Sequence, residues 1–374
     1  MKGDKKGAYC ILSSGGWWNQ RLLKDCGVIP YLLQKNYNFH SVLVGYNAKQ
    51  STLSYLDKYL DGVEIDFLPD DKLETRLQYI HDHAKDIDLL ILYGAYPRYV
   101  PIVKYYRELR PNGKVYLATD ANTHWMDRID HDAIEWRQFL NQCDVIAASC
   151  RKTQRYLSIK WSAVIELIRN GWYNFADVNF DNVFNQKENI ILTVGRIGSV
   201  QKRTELLLET FAACYEKIPD WRVRLVGKIE KNFDTFLENF FDRFPQLKNK
   251  IEFTGLIEDK KTLMEEYKKT KIFTITSDFE GGTPNVIAEA LHAGCYIITS
   301  DVDGALDATD EGKCGSIFPV YDPTAFADIL KRVCNDKKLI KSGGLRAFEY
   351  ARESFDAENI VDHLYYLLYN IKMN

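Results

Sequence analysis

The chain has 374 residues, enough for two domains that each bury a core of their own. Hydrophobic residues make up 46% of it and charged residues 27%, and no stretch is of low complexity, so the composition is that of a globular protein. The net charge of −3 argues against a general nucleic-acid binder, although it leaves room for a local basic patch.

The cysteine spacing and the hydropathy indicate the cellular compartment of the protein. The eight cysteines lie at positions 10, 26, 143, 150, 214, 295, 314 and 334, and no two have C-x-x-C spacing. Most fall within apolar strand or helix patterns, which favours buried thiols in a reducing compartment over a disulfide framework or a zinc site. The start of the chain is not typical of a signal peptide, and no window is apolar over the length of a bilayer. These features predict a soluble, cytoplasmic protein.

The first half alternates short apolar runs with helical patterns. The predicted strands are Tyr9–Leu12, Ser41–Val44, Val63–Phe67, Leu89–Tyr93, Val115–Ala118 and Val145–Ala148. The helices between them include Val28–Lys35, Leu53–Leu60, Leu73–Lys85 and Val100–Leu109. Regular alternation of this kind indicates parallel βαβ units, with ligands at the carboxyl ends of the strands.

The second half repeats this plan after residues 171–187, which lack periodicity and are predicted to be a linker. Its strands are Ile190–Val194, Arg222–Val226, Ile251–Phe253, Ile272–Thr276 and Tyr296–Thr299. Its helices include Glu205–Tyr215, Phe233–Phe244, Lys260–Lys268, Pro284–Ala293 and Pro323–Asn335. We therefore predict an α/β protein with two Rossmann-like domains in tandem, at 1–175 and 176–355, and a ligand site in the cleft between them. A last helix, Ala357–Ile371 within 356–374, is a candidate for packing back on the first domain.

Two common nucleotide motifs are missing from the sequence. Neither half has G-x-G-x-x-G after its first strand, since Gly15 and Gly16 lack the spacing, which disfavours a dinucleotide oxidoreductase. There is no G-x-x-x-x-G-K-[ST] either, which removes the usual P-loop interpretation.

The stretch at 271–300 is predicted to be a strand, a glycine-containing loop, a helix and a second strand. Thr283 lies at the expected N-cap, Pro284 at the first helical position and Gly294 just past the helix end. Glycines and a helix start suit a phosphorylated ligand, with carboxylates left to hold hydroxyls. The alternative is a plain β-loop-α turn with surface acids.

Several motifs of the second half occur in a fixed order. They are NIILTVGRIGSVQKRTELLLETFAACYE from Asn189, RLVGKI (224–229), EFTGLI (252–257), SDFEGGTPNVIAEALHAG (277–294) and SDVDGALDATDEGKCGSIFP (300–319). Together they closely resemble the family-4 retaining glycosyltransferases of the GT-B fold, over essentially the whole second domain. In the first domain the resemblance is mostly architectural, with IRNGWYNF (168–175) similar to the segment at the domain junction.

The resemblance implies a donor site without a metal ion. Arg196 and Lys202 match the basic pair that binds the diphosphate of a nucleotide-sugar donor, where two cations replace a divalent metal. The sequence has no Asp-x-Asp suited to a metal–diphosphate site, so no metal and no cofactor other than the donor sugar nucleotide are predicted. For Arg196 the alternative is a surface salt bridge.

Two acids match the family's Glu-x7-Glu pair, with the first near the donor sugar and the second on the ribose. They are Glu280 and Glu289, which enclose eight residues rather than seven, so that Asp278 is an alternative for the first role. Backbone groups after the first acid are predicted to hold phosphate or sugar oxygens, at Gly281, Gly282, Thr283, Asn285 and Val286. Leu256 and Ile257 match the region that packs the base, with ordinary core as an equal alternative.

The first domain is predicted to hold the acceptor. Gly16 would let the backbone approach the diphosphate, while Trp17 and Trp18 are candidates for stacking on a sugar, with packed structural indoles as the alternative. Asp120 and His124 follow a predicted strand and are weaker candidates for sugar contacts.

The implied reaction is metal-independent sugar transfer with retention to a glycan or lipid-linked hydroxyl, in surface polysaccharide or glycan assembly. A non-catalytic sugar-nucleotide-binding subunit and a sugar-nucleotide epimerase remain alternatives on the same fold. The basic aromatic helix at Pro97–Arg110 offers a peripheral contact with an anionic inner membrane face, against the alternative of a solvated helix.

Overall fold

The computed structural model describes residues 5–46, 52–130 and 132–369. These residues form two compact units. The first contains the described residues up to Tyr173 together with those from Asp356 onward, and the second is Asn174–Phe355. Each has its own parallel sheet with helices around it, so the predicted α/β class with two Rossmann-like domains is confirmed.

The first unit has a seven-stranded parallel sheet in the order β3-β2-β1-β4-β5-β6-β7. The strands are β1 (Lys6–Leu12), β2 (Phe39–Tyr46), β3 (Glu64–Leu68), β4 (Leu89–Tyr93), β5 (Lys114–Ala118), β6 (Val145–Ala148) and β7 (Glu166–Leu167). Its helices are α1 (Asn19–Leu22), α2 (Asp25–Tyr37), α3 (Ser54–Tyr59), α4 (Leu73–His83), α5 (Tyr99–Leu109), α6 (Thr123–Met126), α7 (Ile134–Asn141) and α8 (Arg151–Lys160). Apolar strands such as Leu89–Tyr93 are buried along their whole length, as expected when helices cover both faces.

The second unit has a six-stranded parallel sheet in the order β10-β9-β8-β11-β12-β13. The strands are β8 (Glu188–Val194), β9 (Arg222–Val226), β10 (Ile251–Gly255), β11 (Thr270–Ile275), β12 (Tyr296–Ser300) and β13 (Gly315–Phe318). Its helices are α9 (Thr204–Cys214), α10 (Asp234–Arg243), α11 (Lys260–Lys269), α12 (Asn285–His292), α13 (Ala305–Ala308), α14 (Pro323–Asn335) and α15 (Lys337–Ser354). Ile191 of β8 pairs with Ile272 of β11, and both are fully buried.

The last helix, α16 (Ala357–Tyr369), belongs to the first unit. The ring of Tyr365 stacks on Tyr37 with 3.8 Å between centroids, and the Tyr37 hydroxyl donates to Asp362 at 2.7 Å. The end that the sequence predicts for this helix, at residue 371, lies outside the described residues.

In both sheets the strand order reverses beside the first strand of the unit. β1 lies between β2 and β4, and β8 lies between β9 and β11. Loops that leave neighbouring strands at such a reversal diverge to opposite faces and open a crevice at the carboxyl edge. Trp18 of the first unit follows β1, and Lys202 and Glu280 of the second unit follow β8 and β11.

Candidate functional site

Two loops meet at the carboxyl ends of β8 and β11 in the second unit. The first contains Arg196 and Lys202, and the second contains Asp278 and Glu280. The backbone N–H of Asp278 donates to the carbonyl of Gln201 at 3.0 Å, which ties the loops together. The strand order therefore brings together side chains that lie about 80 positions apart in the sequence.

Glu280 lies at the centre of this contact. Its side chain is buried and forms an ion pair with the Lys202 ammonium. The Ser277 hydroxyl donates to the same carboxylate oxygen at 2.5 Å, and Gln201 Nε2 lies 3.5 Å from the other oxygen. The Lys202 side chain is 24% exposed and that of Glu280 is 8% exposed. The lysine side of the ion pair is therefore the more accessible to an incoming anion.

Asp278 has a different cation. The Arg203 guanidinium lies 3.2 Å from Asp278 Oδ1 and 3.6 Å from Glu205. The structure thus brings Glu280, and not Asp278, to Lys202.

Arg196 is exposed near the start of the first loop, and its guanidinium donates to Gln201 Oε1 at 2.7 Å. Gln201 Nε2 donates in turn to the Phe279 carbonyl at 2.9 Å. Gln201 therefore joins Arg196 to the second loop, a role that the sequence analysis missed. No motif marks this glutamine apart from its place beside Lys202.

The start of α12 differs from the prediction. Thr283 does not cap the helix: the N-cap residue is Pro284, without a side-chain capping bond, and the helix begins at Asn285. The Thr283 hydroxyl is fully buried and has no hydrogen-bond partner among the residues that the structure describes. The first intrahelical bond here runs from Ile287 N to Pro284 O (2.9 Å), so the amides of Asn285 and Val286 have no acceptor within the helix.

A close backbone contact shapes the glycine turn before this helix. Gly282 has a φ of +99°, which favours glycine. A Cβ atom on Gly304, in the loop after β12, would lie 2.4 Å from the Gly282 carbonyl oxygen and 2.7 Å from Thr283 N. Gly304 is thus required for the two loops to touch. Gly281 precedes this contact and is half-buried.

Glu289 lies on α12 and is nearly buried. The Tyr267 hydroxyl donates to Glu289 Oε2 at 2.7 Å, and Lys260 Nζ lies 3.5 Å from Oε1. Burial, with the charge of Glu289 as the second cause, raises the pKa of Tyr267 well above its usual range. Both carboxylate oxygens of Glu289 thus have a partner within the protein. Tyr267 and Lys260 were missed because only the fold brings α11 against α12.

The apolar pair after β10 is not ordinary core. Leu256 is 52% exposed and Ile257 is half-buried. An exposed leucine at the carboxyl edge suits contact with a flat apolar ligand group better than internal packing.

In the first unit the two tryptophans after β1 differ sharply in exposure. Trp17 is 2% exposed, which leaves almost no ring surface for a sugar, so the packed alternative holds for this indole. Trp18 is 45% exposed, and the Arg21 guanidinium lies 4.9 Å from its ring centroid. Arg21 also donates to the Gly16 carbonyl at 3.1 Å. Trp18 is therefore the better of the two stacking candidates.

Asp120 follows β5 with a φ of +26° and hydrogen bonds to Tyr93. It lies near Asp25, a buried acid at the start of α2 that the sequence analysis missed. Burial first, and then the charge of Asp120, raise the pKa of Asp25 to about 7. Asp25 Oδ2 has no hydrogen-bond partner in the described part of the chain.

His124 is exposed on the short helix α6, and its Nε2 atom lies 3.2 Å from a guanidinium nitrogen of Arg128. The structure does not bring it into hydrogen-bond contact with Asp120 within the described residues.

Most cationic side chains of the basic aromatic helix α5 form hydrogen bonds or ion pairs within the protein. Arg107 donates to the Gln142 carbonyl and pairs with Asp144 at 2.7 Å, and Arg110 pairs with Asp88. These contacts fix the guanidinium groups against the protein. Peripheral membrane contact through this helix stays a prediction.

Two kinds of feature, a cluster of metal ligands and a membrane-spanning helix, are absent from the described residues. No group of three or more His, Cys, Asp and Glu side chains is placed to hold a metal ion in 5–46, 52–130 and 132–369. Within those ranges, no helix combines the length and the apolar character needed to cross a bilayer.

The second unit resembles a known protein family. Residues 188–336, which include Arg196, Lys202, Glu280 and Glu289, match the family model described as glycosyl transferases group 1. The match covers less than half of the chain, so it shows similarity to this family over these residues. The predicted resemblance to GT-B glycosyltransferases is supported at this level.

Individual relatives are similar to this chain over part of its length. Spore coat protein SA of Bacillus subtilis is 25% identical over 183 residues, which cover 47% of this chain and 48% of the relative. A phosphatidyl-myo-inositol mannosyltransferase of Mycolicibacterium smegmatis is 23% identical over 176 residues, covering 47% and 44%. The chain thus spans about half the length of these curated relatives.

A solved structure extends the likeness to the whole fold. Anabaena Alr3699/HepE, crystallised in complex with UDP, has a TM-score of 0.74 and 15% identity, and the match covers 98% of this chain and all of that one (100%). The TM-score shows that this chain has the GT-B fold, and identity at this level supports the fold alone.

Proposed function

We propose that this chain is a glycosyltransferase that moves a sugar from a nucleotide-diphosphate donor to a hydroxyl group of a glycan or lipid-linked acceptor. The observation that carries the proposal is the Lys202–Glu280 pair beside Arg196, inside the segment that matches the group 1 family. An exposed guanidinium and a reachable ammonium suit a diphosphate, and a buried carboxylate suits sugar hydroxyls.

The other donor contacts follow from the helix start. The unpaired Thr283 hydroxyl and the first amides of α12 are proposed to bind phosphate or sugar oxygens. We assign Glu289 to the ribose and Leu256 with Ile257 to the base. Because the structural neighbour was crystallised with UDP, uridine donors are the first to test. In the first unit, Trp18 and Asp120 are proposed as sugar contacts, and Gly16 as a backbone contact.

The proposed reaction retains the configuration at the anomeric carbon. The bond from this carbon to the diphosphate oxygen breaks, and a bond to the acceptor oxygen forms on the same face. The acceptor proton moves to the departing phosphate oxygen. Arg196 and Lys202 stabilise the charge that develops on this leaving group, so the proposed reaction needs no metal ion.

Two alternatives from other classes make different predictions. A sugar-nucleotide epimerase on the same fold would convert the donor without an acceptor. A non-catalytic binding subunit would bind the donor without transfer and without slow donor hydrolysis. The match to the group 1 family and the presence of both cations, Arg196 and Lys202, favour sugar transfer.

A donor screen tests the proposal. Purified protein is incubated with a panel of sugar nucleotides, and release of nucleoside diphosphate is measured with and without chelator. We expect one donor to give slow release without acceptor, unchanged by the chelator. When an acceptor is added, the product linkage should have the same anomeric configuration as the donor. Donor isomerisation alone, or tight binding without any release, would point to one of the alternatives.

A further inference from the structure

The second unit contains a cavity of about 410 Å³ that is separate from the candidate donor site. Its lining includes residues just before or at the start of β8, β9, β11 and β12, among them Asn189, Trp221, Lys271 and Gly294. The cavity thus lies at the amino ends of the strands, the opposite edge of the sheet from Lys202 and Glu280. Its volume falls within the range of small-molecule sites.

The lining is strongly basic. It contains one acid, Asp220, and five lysines, namely Lys187, Lys217, Lys271, Lys337 and Lys341. The chain as a whole carries a net charge of −3, so this concentration of cations is local. Like charges around one cavity repel each other unless an anion lies between them.

Two of the lysines have a structural role. Lys187 Nζ donates to the carbonyls of Thr270 and Ala293 at 2.6 and 2.5 Å, and burial lowers the pKa of this lysine. Lys271 Nζ donates to Asn189 Oδ1 at 2.6 Å. These contacts satisfy polar groups at the ends of β11 and α12.

The other three lysines have no such explanation. Lys217, Lys337 and Lys341 are exposed, and their ammonium groups make no ion pair or hydrogen bond with the residues that the structure describes. Lys337 and Lys341 also lie one turn apart at the start of α15, where the carboxylate of the N-cap residue Asp336 accepts from Leu339 N at 2.9 Å. An anion in the cavity would relieve the repulsion between these lysines.

One wall of the cavity is apolar and rigid. The Trp221 side chain is buried, with its indole N–H donating to the Cys334 carbonyl at 3.2 Å, and Phe184 and Ile340 line the same cavity. Such a wall suits the organic part of a ligand, whereas the lysines suit its phosphate.

The geometry points to a second binding site, for a phosphorylated small molecule of the size of a sugar phosphate, held by Lys217, Lys337 and Lys341 against the apolar wall that includes Phe184 and Ile340. The inference does not depend on the proposed transferase activity. Because the cavity and the donor loops lie at opposite edges of one sheet, the two sites can be changed separately.

Isothermal titration of the full chain with glucose 1-phosphate tests this inference. We expect saturable binding that the Lys217→Glu/Lys341→Glu variant weakens by about tenfold or more, since it reverses two of the charges that attract the phosphate. The Lys85→Glu/Lys248→Glu variant makes the same charge change at exposed positions outside the cavity, and it should bind as the wild type does. Arg196→Ala should also keep the binding, which separates this site from the donor site.

Two controls keep the outcome clear. Circular dichroism confirms that each variant is folded, and Lys217→Gln/Lys341→Gln repeats the test with a milder change. Inorganic phosphate should bind more weakly than glucose 1-phosphate because it has no organic part to contact the apolar wall at Phe184 and Ile340. The inference is overturned by an absence of saturable binding at millimolar probe, by equal losses in the cavity and control variants, or by equal affinity for the two probes.

Discussion

At the scale of single residues, the candidate site depends on which carboxylate meets which cation. The sequence identified Arg196, Lys202 and Glu280 through motifs, but the extra residue before α12 left Asp278 as an alternative. The structure pairs Glu280 with Lys202 and Asp278 with Arg203. Gln201 could not be predicted, because its hydrogen bonds exist only once β8 and β11 lie side by side.

The pairing makes the two acids experimentally separable. Glu280→Gln keeps the shape of the side chain but removes the charge that holds Lys202, so we expect a loss of transfer of about 100-fold. Asp278→Asn changes a neighbouring acid whose partner is Arg203, and it should cost only a few-fold. Initial rates of nucleotide release at saturating donor measure both. A larger loss in Asp278→Asn would assign the role to that residue.

Asp25 gives the first unit a pH-dependent stability. Burial raises the pKa of Asp25 to about 7 in the folded chain, against an ordinary value of 3.8, so the native state binds the proton more tightly than the unfolded state. Folding stability should therefore fall as pH rises from about 4 to about 7, by up to about 4 kcal/mol, and stay level above that for this group.

Urea unfolding at pH 5 and pH 8 measures this effect. Asp25→Asn should lose this component of the pH dependence and be more stable than the wild type at pH 8. Asp57→Asn, at an exposed position in the same unit, should leave the pH dependence unchanged. The same slope in Asp25→Asn and the wild type would show that burial of Asp25 is not its cause.

At the scale of elements, apolar runs were sufficient for most strands. Leu89–Tyr93, Val145–Ala148 and Arg222–Val226 were predicted to the residue. Helix α15 was not predicted from the sequence. It contains Gly343 and Gly344, a pair that is typical of a loop. A Cβ on Gly343 would meet the Tyr296 ring at 2.4 Å, so these glycines allow close packing within a helix, and tertiary contact overrides propensity.

The contact between the loops after β11 and β12 gives a second element-scale prediction. In Gly304→Ala, the added methyl group would overlap the Gly282 carbonyl, so the glycine turn must shift. We expect a loss of about 1–3 kcal/mol in stability and a raised KM for the donor. Gly312→Ala serves as the control for space, since a Cβ there meets nothing within 4 Å, although its φ of +91° adds backbone strain. Unfolding midpoints and donor titrations compare the two, and an unchanged donor KM in Gly304→Ala would contradict the role of this contact.

At the scale of the whole molecule, two units repeat one plan. Each has a parallel sheet whose order reverses beside its first strand. Trp18 follows β1, and Lys202 and Glu280 follow β8 and β11, at these reversals. The alternation of strands and helices was enough to predict this class. The assignment of α16 to the first unit depends on ring contacts such as Tyr37–Tyr365, and periodicity alone indicates only an amphipathic helix.

The most direct test of sugar transfer at the Lys202–Glu280 site is turnover by two purified variants. With the donor that responds in the screen, Arg196→Ala and Glu280→Ala should each lose most of the activity, by about 100-fold or more, because each removes a group that stabilises the departing diphosphate or holds the sugar. Arg243→Ala removes an exposed arginine at the end of α10, which pairs with Glu209 of α9. This control variant should keep normal turnover. Near-normal turnover in both site variants would contradict the account.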